Sequence, residues 1–144
     1  MKNRTLRQIT AAGVIAAAYA ALSLVLASTT FGPVQCRVSE ALTLLPVLSP
    51  AAVWGVTLGC AITNGVGAAT GANFLGLIDL FVGTAATLLA AITSRLLGKI
   101  RFGGVPWLSA LPPILFNAVA IGAEWCYAAT GSINVAFWVF AGQI

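Results

Sequence analysis

Residues Ile9–Ser28 read ITAAGVIAAAYAALSLVLAS, a run of 20 residues without a charged side chain. At the rise of about 1.5 Å per residue in an α-helix, this run is about 30 Å long, which matches the hydrocarbon core of a bilayer. It is also longer than the apolar core of a secretory signal peptide, which has about 7 to 15 residues. We therefore interpret it as a retained first membrane helix.

The composition of the whole chain indicates that lipid is its solvent. Hydrophobic residues make up 60% of the 144 residues, charged residues make up 7%, and the mean hydropathy is +1.01. Soluble domains have about 25% charged residues. Because a backbone in lipid must satisfy its own hydrogen bonds, long apolar runs favour helices. The sequence predicts an all-α polytopic bundle, with residues 1–144 as a single transmembrane domain.

Six helical segments are predicted along the chain. Their predicted bounds are 9–28, 35–48, 51–66, 74–94, 112–129 and 133–144. The last segment has 12 residues and would be only about 18 Å long as a helix. Since the hydrocarbon core is about 30 Å thick, we expect the sixth helix to be truncated at Ile144.

Basic residues gather at one predicted end of the bundle. Six of the seven form two clusters, one before the first segment and one after the fourth. They are Lys2, Arg4 and Arg7, and Arg95, Lys99 and Arg101. Because successive spans alternate in direction, both clusters fall on one side of a cell membrane, and the positive-inside rule assigns that side to the cytoplasm.

All three acidic residues fall in the opposite half of the predicted bundle. Acids within membrane helices are costly and are by default candidates for a ligand or ion site. We expect a pocket on the outer side for a small polar ligand that carries hydrogen-bond donors or positive charge, with aromatic rings available for stacking. The candidate residues are Arg37, Glu40, Asn64, Asn73, Asp79, Glu124, Tyr127 and Trp138.

Most of these candidates also have a purely structural interpretation. Arg37 and Glu40 are spaced i, i+3 and can form an interfacial salt bridge. The other two acids can bond to threonine or backbone groups on neighbouring helices. The two asparagines can be turn residues, and the tyrosine can belong to an aromatic belt at the membrane interface.

The first segment carries two adjacent stripes of small residues. Small side chains at four-residue spacing allow another helix to pack closely. The spacing alone does not distinguish packing inside the bundle from docking of a separate membrane protein. The stripes are Ala12, Ala16 and Ala20, and Gly13, Ala17 and Ala21.

The sequence lacks the common signatures of catalysis. It has no histidine, no phosphate-binding loop and no Cys/His metal cluster, so we expect no enzyme activity, metal, cofactor or nucleic-acid partner. Any energy that the function of the chain requires must then come from an ion gradient or from a partner protein. Besides a ligand-binding membrane subunit, two other classes of membrane protein fit this composition. One is a stand-alone secondary transporter or channel for a small cationic solute, and the other is a non-transporting assembly subunit.

Two local patterns are more specific. Residues 31–46 read FGPVQCRVSEALTLLP and contain Gln-x-Arg-x-Ser-Glu-Ala-Leu, and residues 112–117 read PPILFN. On these patterns, together with the small-residue stripes, the chain resembles the QueT family over essentially its whole length. Members of that family are substrate-binding S components of energy-coupling factor (ECF) transporters and are assigned to queuosine precursors.

The resemblance implies six helices with both termini in the cytoplasm and a substrate pocket near the outer face. It also implies a transmembrane coupling subunit that docks on the small-residue stripes and works with two cytoplasmic ATPases. The implied ligand is a 7-deazaguanine such as preQ1. One of the three acids would then read the guanine edge and another would attract the ammonium group. Gln35 or an asparagine would take the remaining hydrogen bonds, and an aromatic ring would stack on the base.

Overall fold

The computed structural model describes residues 2–31, 37–73, 75–101 and 103–131. These residues form a helical bundle, and four of the helices are long and apolar enough to cross a membrane. The predicted fold class, an all-α membrane bundle, is confirmed. The helices are α1 (Lys2–Val25), α2 (Ala27–Thr30), a 3₁₀ helix (Val38–Val47), α3 (Pro50–Thr70), α4 (Leu77–Leu97), a second and shorter 3₁₀ helix (Trp107–Ala110) and α5 (Leu111–Thr130).

The second predicted span is the one that the structure corrects. It is the 3₁₀ helix Val38–Val47, hereafter the 3₁₀ helix, and not a full α-helical crossing. Ten residues at a rise of about 2.0 Å reach only about 20 Å, less than the hydrocarbon thickness. Pro46 lies inside this helix, where it has no backbone N–H to donate. The predicted sixth span, 133–144, lies outside the described residues.

Close contact between α1 and α3 depends on two glycines of α3. A Cβ atom on Gly55 would lie 2.8 Å from Cβ of Ile15 and 2.9 Å from the carbonyl oxygen of Ala12. A Cβ atom on Gly59 would lie only 2.6 Å from Cβ of Tyr19. These two glycines, four residues apart, therefore allow the two backbones to approach as closely as they do.

The two small-residue stripes of α1 have different surroundings. Ala16 and Ala20 are buried, and the carbonyl groups of Ala12 and Ala16 face the glycines of α3. Ala12 is half-buried, so the burial favours packing inside the bundle over docking of another protein for the stripe Ala12, Ala16 and Ala20. The residues of the second stripe are exposed; they are Gly13, Ala17 and Ala21.

The two basic clusters lie beside the turn between the 3₁₀ helix and α3. Arg4 and Arg7 line a pocket with Ser49 on one side of this turn. Arg95 lines a second pocket with Pro50 on the other side. The first turn of α4 holds Asp79 and its last turn holds Arg95, so the acid lies toward the opposite end of the bundle.

A small apolar core fills the space between α1, α3 and α4. Its fully buried members include Tyr19, Val56, Cys60 and Ala91. Two of these residues carry polar atoms, the hydroxyl of Tyr19 and the thiol of Cys60. Both atoms face polar side chains of the candidate site described next.

Candidate functional site

Arg37 and Asp79 form a buried ion pair across the bundle. Arg37 immediately precedes the 3₁₀ helix, and Asp79 lies in the first turn of α4. A terminal guanidinium nitrogen of Arg37 donates to Oδ2 of Asp79, and the two side chains are 4% and 0% exposed. A buried charge is tolerated when it is paired and hydrogen-bonded. This pair therefore neutralises one of the three acids of the chain.

Two asparagines complete the surroundings of the Asp79 carboxylate. Nδ2 of Asn73 donates to Oδ2 at 2.7 Å. Nδ2 of Asn64 donates to the Asp79 backbone carbonyl at 2.8 Å and lies 3.3 Å from Oδ1. Since the protein itself supplies all these donors, the arrangement favours a structural role for Asp79 over direct ligand binding.

Asn73 is held by the loop between α3 and α4. Gly71 ends α3 with φ of +70°, a conformation that favours glycine. The N–H of Asn73 then donates to the carbonyl of Gly67 at 3.0 Å, and its Oδ1 accepts from the N–H of Leu75 at 3.0 Å. These bonds fix the side chain so that its amide N–H₂ points at Asp79. Asn73 is therefore a turn residue and a partner of the carboxylate at the same time.

Glu40 lies at the start of the 3₁₀ helix and is bound by α1. The hydroxyl of Tyr19 donates to Oε1 of Glu40 at 2.5 Å. Oε2 is buried and has no hydrogen-bond partner among the described residues, although the side chain of Asn117 lies close by. The salt bridge expected between Arg37 and Glu40 is thus replaced by the Arg37–Asp79 pair, because the guanidinium points across to α4.

A pocket of about 380 Å³ opens between the 3₁₀ helix and the first turns of α5. It combines a carboxylate, a guanidinium and an amide with apolar walls, which is the usual character of a small-molecule site. Its lining residues are Arg37, Glu40, Ala41, Thr43, Leu44, Ala110, Pro113, Ile114 and Asn117.

Glu124 lies on the same face of α5 as Asn117. The two residues are seven positions apart, which is about two helical turns or about 10.5 Å along the axis. Glu124 is 3% exposed, and neither of its carboxylate oxygens has a hydrogen-bond partner among the described residues. It lies within electrostatic reach of both Asp79 and Arg37. A buried carboxylate without a donor is costly in a membrane protein, so Glu124 is the candidate that most needs a ligand.

The other predicted site residues have mixed outcomes. Tyr127 is 54% exposed and does not line the pocket, which favours the interfacial interpretation of this ring. Gln35 and Trp138 lie outside the described residues.

The predicted site residues did not include Tyr19, Asn117 or Gly83, although Tyr19 binds Glu40, Asn117 lines the pocket and Gly83 lies against the Asp79 carboxylate. Tyr19 falls three residues after Ala16 on the buried face of α1, and a buried tyrosine hydroxyl usually finds a partner. Its position on the buried face was therefore the feature of the sequence that could have identified Tyr19. Gly83 follows Asp79 by one helical turn, and nothing in the local sequence marks it as special.

Comparison with known proteins supports the transport interpretation. No curated protein and no solved structure matches the chain. The sequence model of one family, described as QueT transporter, matches residues 9–144. This match includes the ion pair, the pocket and Glu124. The chain therefore belongs to the QueT transporter family and is a multi-pass membrane protein with a role in transport.

Proposed function

We propose that this chain is the substrate-binding S component of an ECF importer and that it captures preQ1 or a related 7-deazaguanine. The observation that carries the proposal is the state of the three acids. Asp79 is neutralised by Arg37, whereas Glu40 and Glu124 have buried oxygens without donors among the described residues. A ligand with one positive charge and several N–H donors would satisfy both remaining carboxylates.

The two acids differ in the number of oxygens they can offer. Among the described residues, Glu40 accepts from Tyr19 and has one oxygen without a donor, whereas neither oxygen of Glu124 has a donor. We therefore assign Glu124 to the guanine edge, where N1–H and the exocyclic amine can donate side by side to one carboxylate. We assign Oε2 of Glu40 to the aminomethyl cation. The amide of Asn117, which lines the pocket with Glu40 and lies two helical turns before Glu124 on α5, is assigned to the remaining acceptors of the base.

Uptake through this chain requires partner proteins. The sequence has no phosphate-binding loop, so we assign ATP hydrolysis to two cytoplasmic ATPases that act through a transmembrane coupling subunit. We assign docking of that subunit to the exposed stripe of α1, since small side chains allow close helix approach. The basic clusters support a cytoplasmic location for the N-terminus and for the loop after α4. A chain of six spans would return to the same side of the membrane. The stripe consists of Gly13, Ala17 and Ala21.

Equilibrium titration of the purified chain with preQ1 tests the ligand assignment. We expect preQ1 to bind more tightly than guanine, which lacks the aminomethyl cation, and more tightly than a panel of heterocyclic vitamins. Replacing one carboxylate by Glu124→Gln or Glu40→Gln should weaken binding about tenfold to a hundredfold, the usual effect of losing a charge-assisted hydrogen bond. Tyr127→Phe, which changes an exposed ring outside the pocket, is the control and should bind normally.

Two results would refute the ligand assignment. One is equal affinity for preQ1 and guanine, and the other is unchanged affinity in both glutamate variants. Co-purification from a membrane extract tests the importer assignment separately. An S component should retain a transmembrane subunit and ATPases, whereas a stand-alone carrier would move preQ1 alone in liposomes.

A further inference from the structure

A second pocket, of about 260 Å³, lies at the end of α4 that is remote from Asp79. Three of its lining residues are basic, and we call it the α4 basic pocket. It has no role in the ligand assignments made above for the 7-deazaguanine. Its lining residues are Val47, Leu48, Pro50, Arg95, Gly98, Lys99 and Arg101.

The α4 basic pocket is built by close packing of α4 against the 3₁₀ helix. A Cβ atom on Gly98 would lie 2.6 Å from Cγ1 of Val47, so only glycine allows this approach. Arg95 is half-buried and donates to the carbonyl of Pro46 at 3.3 Å. This bond holds the guanidinium at the pocket and leaves its other N–H groups available.

The positive charge of the pocket has no acidic side chain to balance it. The chain contains three acids, and all three belong to the site described above: Glu40, Asp79 and Glu124. The C terminus of α4 supplies only a partial negative charge, roughly half an elementary charge. Three cations that converge on one pocket without a carboxylate therefore favour an anionic ligand from outside the chain.

Apolar side chains flank the same cations and narrow the choice of anion. Leu48 is 79% exposed, Leu96 is 57% exposed and Ile100 is 46% exposed. A soluble phosphate would match the cations and gain nothing from the leucines. A phospholipid has both parts, a phosphate and acyl chains, and lipid phosphates are found at the level where membrane helices end.

We propose that the α4 basic pocket binds the phosphate of an anionic phospholipid, whose acyl chains lie along Leu48, Leu96 and Ile100. The lipid neutralises Arg95, Lys99 and Arg101 and covers the exposed apolar side chains beside them. Basic pockets between membrane helices are a common form of headgroup site.

Native mass spectrometry of the full chain in neutral detergent, titrated with phosphatidylglycerol or phosphatidylcholine, tests this proposal. We expect saturable binding that favours phosphatidylglycerol. The variant Lys99→Gln/Arg101→Gln should bind phosphatidylglycerol about thirtyfold more weakly, because each cation near a membrane surface contributes a factor of about five. Both residues are exposed, so this variant should fold. The matched control, Arg4→Gln/Arg7→Gln, removes the same charge at the same end of the bundle and should have little effect.

Four results would overturn the proposal. Equal loss in both double variants would indicate a general effect of charge, and equal binding of phosphatidylcholine would remove the role of the anion. Displacement of the lipid by millimolar inorganic phosphate would assign the pocket to a soluble anion. Lipid binding that disappears when a coupling subunit is bound would identify the pocket as a protein-docking surface.

Discussion

Gly83 leaves open the space that the Asp79 carboxylate occupies. A Cβ atom on Gly83 would lie 2.1 Å from Oδ1 of Asp79 and 3.0 Å from Nδ2 of Asn64. Glycine one helical turn after the aspartate therefore lets the carboxylate lie against the surface of its own helix. In that position it meets the guanidinium of Arg37 and the amides of α3 and of the loop that follows it.

The variant Gly83→Ala should therefore destabilise the chain. The added methyl group would displace the Asp79 carboxylate, and overpacking of this kind typically costs about 1 to 3 kcal/mol. Thermal unfolding in detergent measures the effect. Gly65→Ala is the control, since a Cβ atom there would make only an ordinary contact with Leu80 at 3.9 Å. Equal melting temperatures for the two variants would contradict the steric explanation.

Removal of one partner of the Arg37–Asp79 ion pair should be more damaging than removal of both charges. Arg37→Gln leaves a buried carboxylate uncompensated, and breaking a buried pair in this way costs about 3 to 5 kcal/mol. The double variant Arg37→Gln/Asp79→Asn should lose less than the sum of the two single losses. A double-mutant cycle of unfolding free energies measures this coupling. Strict additivity would show that the pair contributes nothing as a pair.

The hydroxyl of Tyr19 should contribute measurably to stability through Glu40. Tyr19→Phe removes the donor to Oε1 and leaves the whole carboxylate without a bond from α1. Loss of a hydrogen bond to a charged group costs about 1.5 to 3 kcal/mol. Tyr127→Phe makes the same chemical change on a ring that is 54% exposed and should be close to neutral. Chemical unfolding of both variants compares them, and equal effects would argue against a special role for Tyr19.

The exposed stripe of α1 should matter for assembly and not for folding. No atom of the residues that the structure describes lies within 4 Å of a Cβ placed on Gly13, and Ala17 is exposed. The variant Gly13→Leu/Ala17→Leu should therefore unfold at the same temperature as the wild type but retain less coupling subunit on co-purification. Gly59→Ala should instead affect folding, because its methyl group would clash with Tyr19 inside the chain. Normal retention of the coupling subunit by the double leucine variant would exclude this face.

The long helices could be read from the sequence because length and hydropathy alone select them. The 3₁₀ helix could not, since an apolar stretch at 38–47 satisfies the same pattern whether it winds as 3₁₀ or as α. Its 3₁₀ winding and its length of 10 residues become evident only in the structure. The predicted pairing of Arg37 with Glu40 failed for a similar reason. Local spacing suggested a neighbour at i+3, whereas the partner is Asp79, 42 residues along the chain.

The depth of the polar residues was easier to anticipate than their bonding. The rise per residue placed Asp79 and Glu124 at comparable levels. It did not reveal that Asn64, Asn73 and Arg37 donate hydrogen bonds to Asp79. Which small-residue stripe faces inward was also open on spacing alone. Gly55 and Gly59 of α3 decide it, because they accept the backbone of α1 on the side of Ala12 and Ala16 at close range.

The hydrogen bond from Tyr19 to Glu40 connects α1 directly to the pocket. The helix carries the exposed stripe on one side, and on its buried side it donates a 2.5 Å hydrogen bond to Glu40. A rotation of α1 about its own axis would move both of its faces together, so a turn imposed on the exposed stripe would also displace the hydroxyl of Tyr19. If a coupling subunit turns α1 when it docks, Glu40 changes its bonding in the same motion, and no intermediate residue is needed to relay the signal.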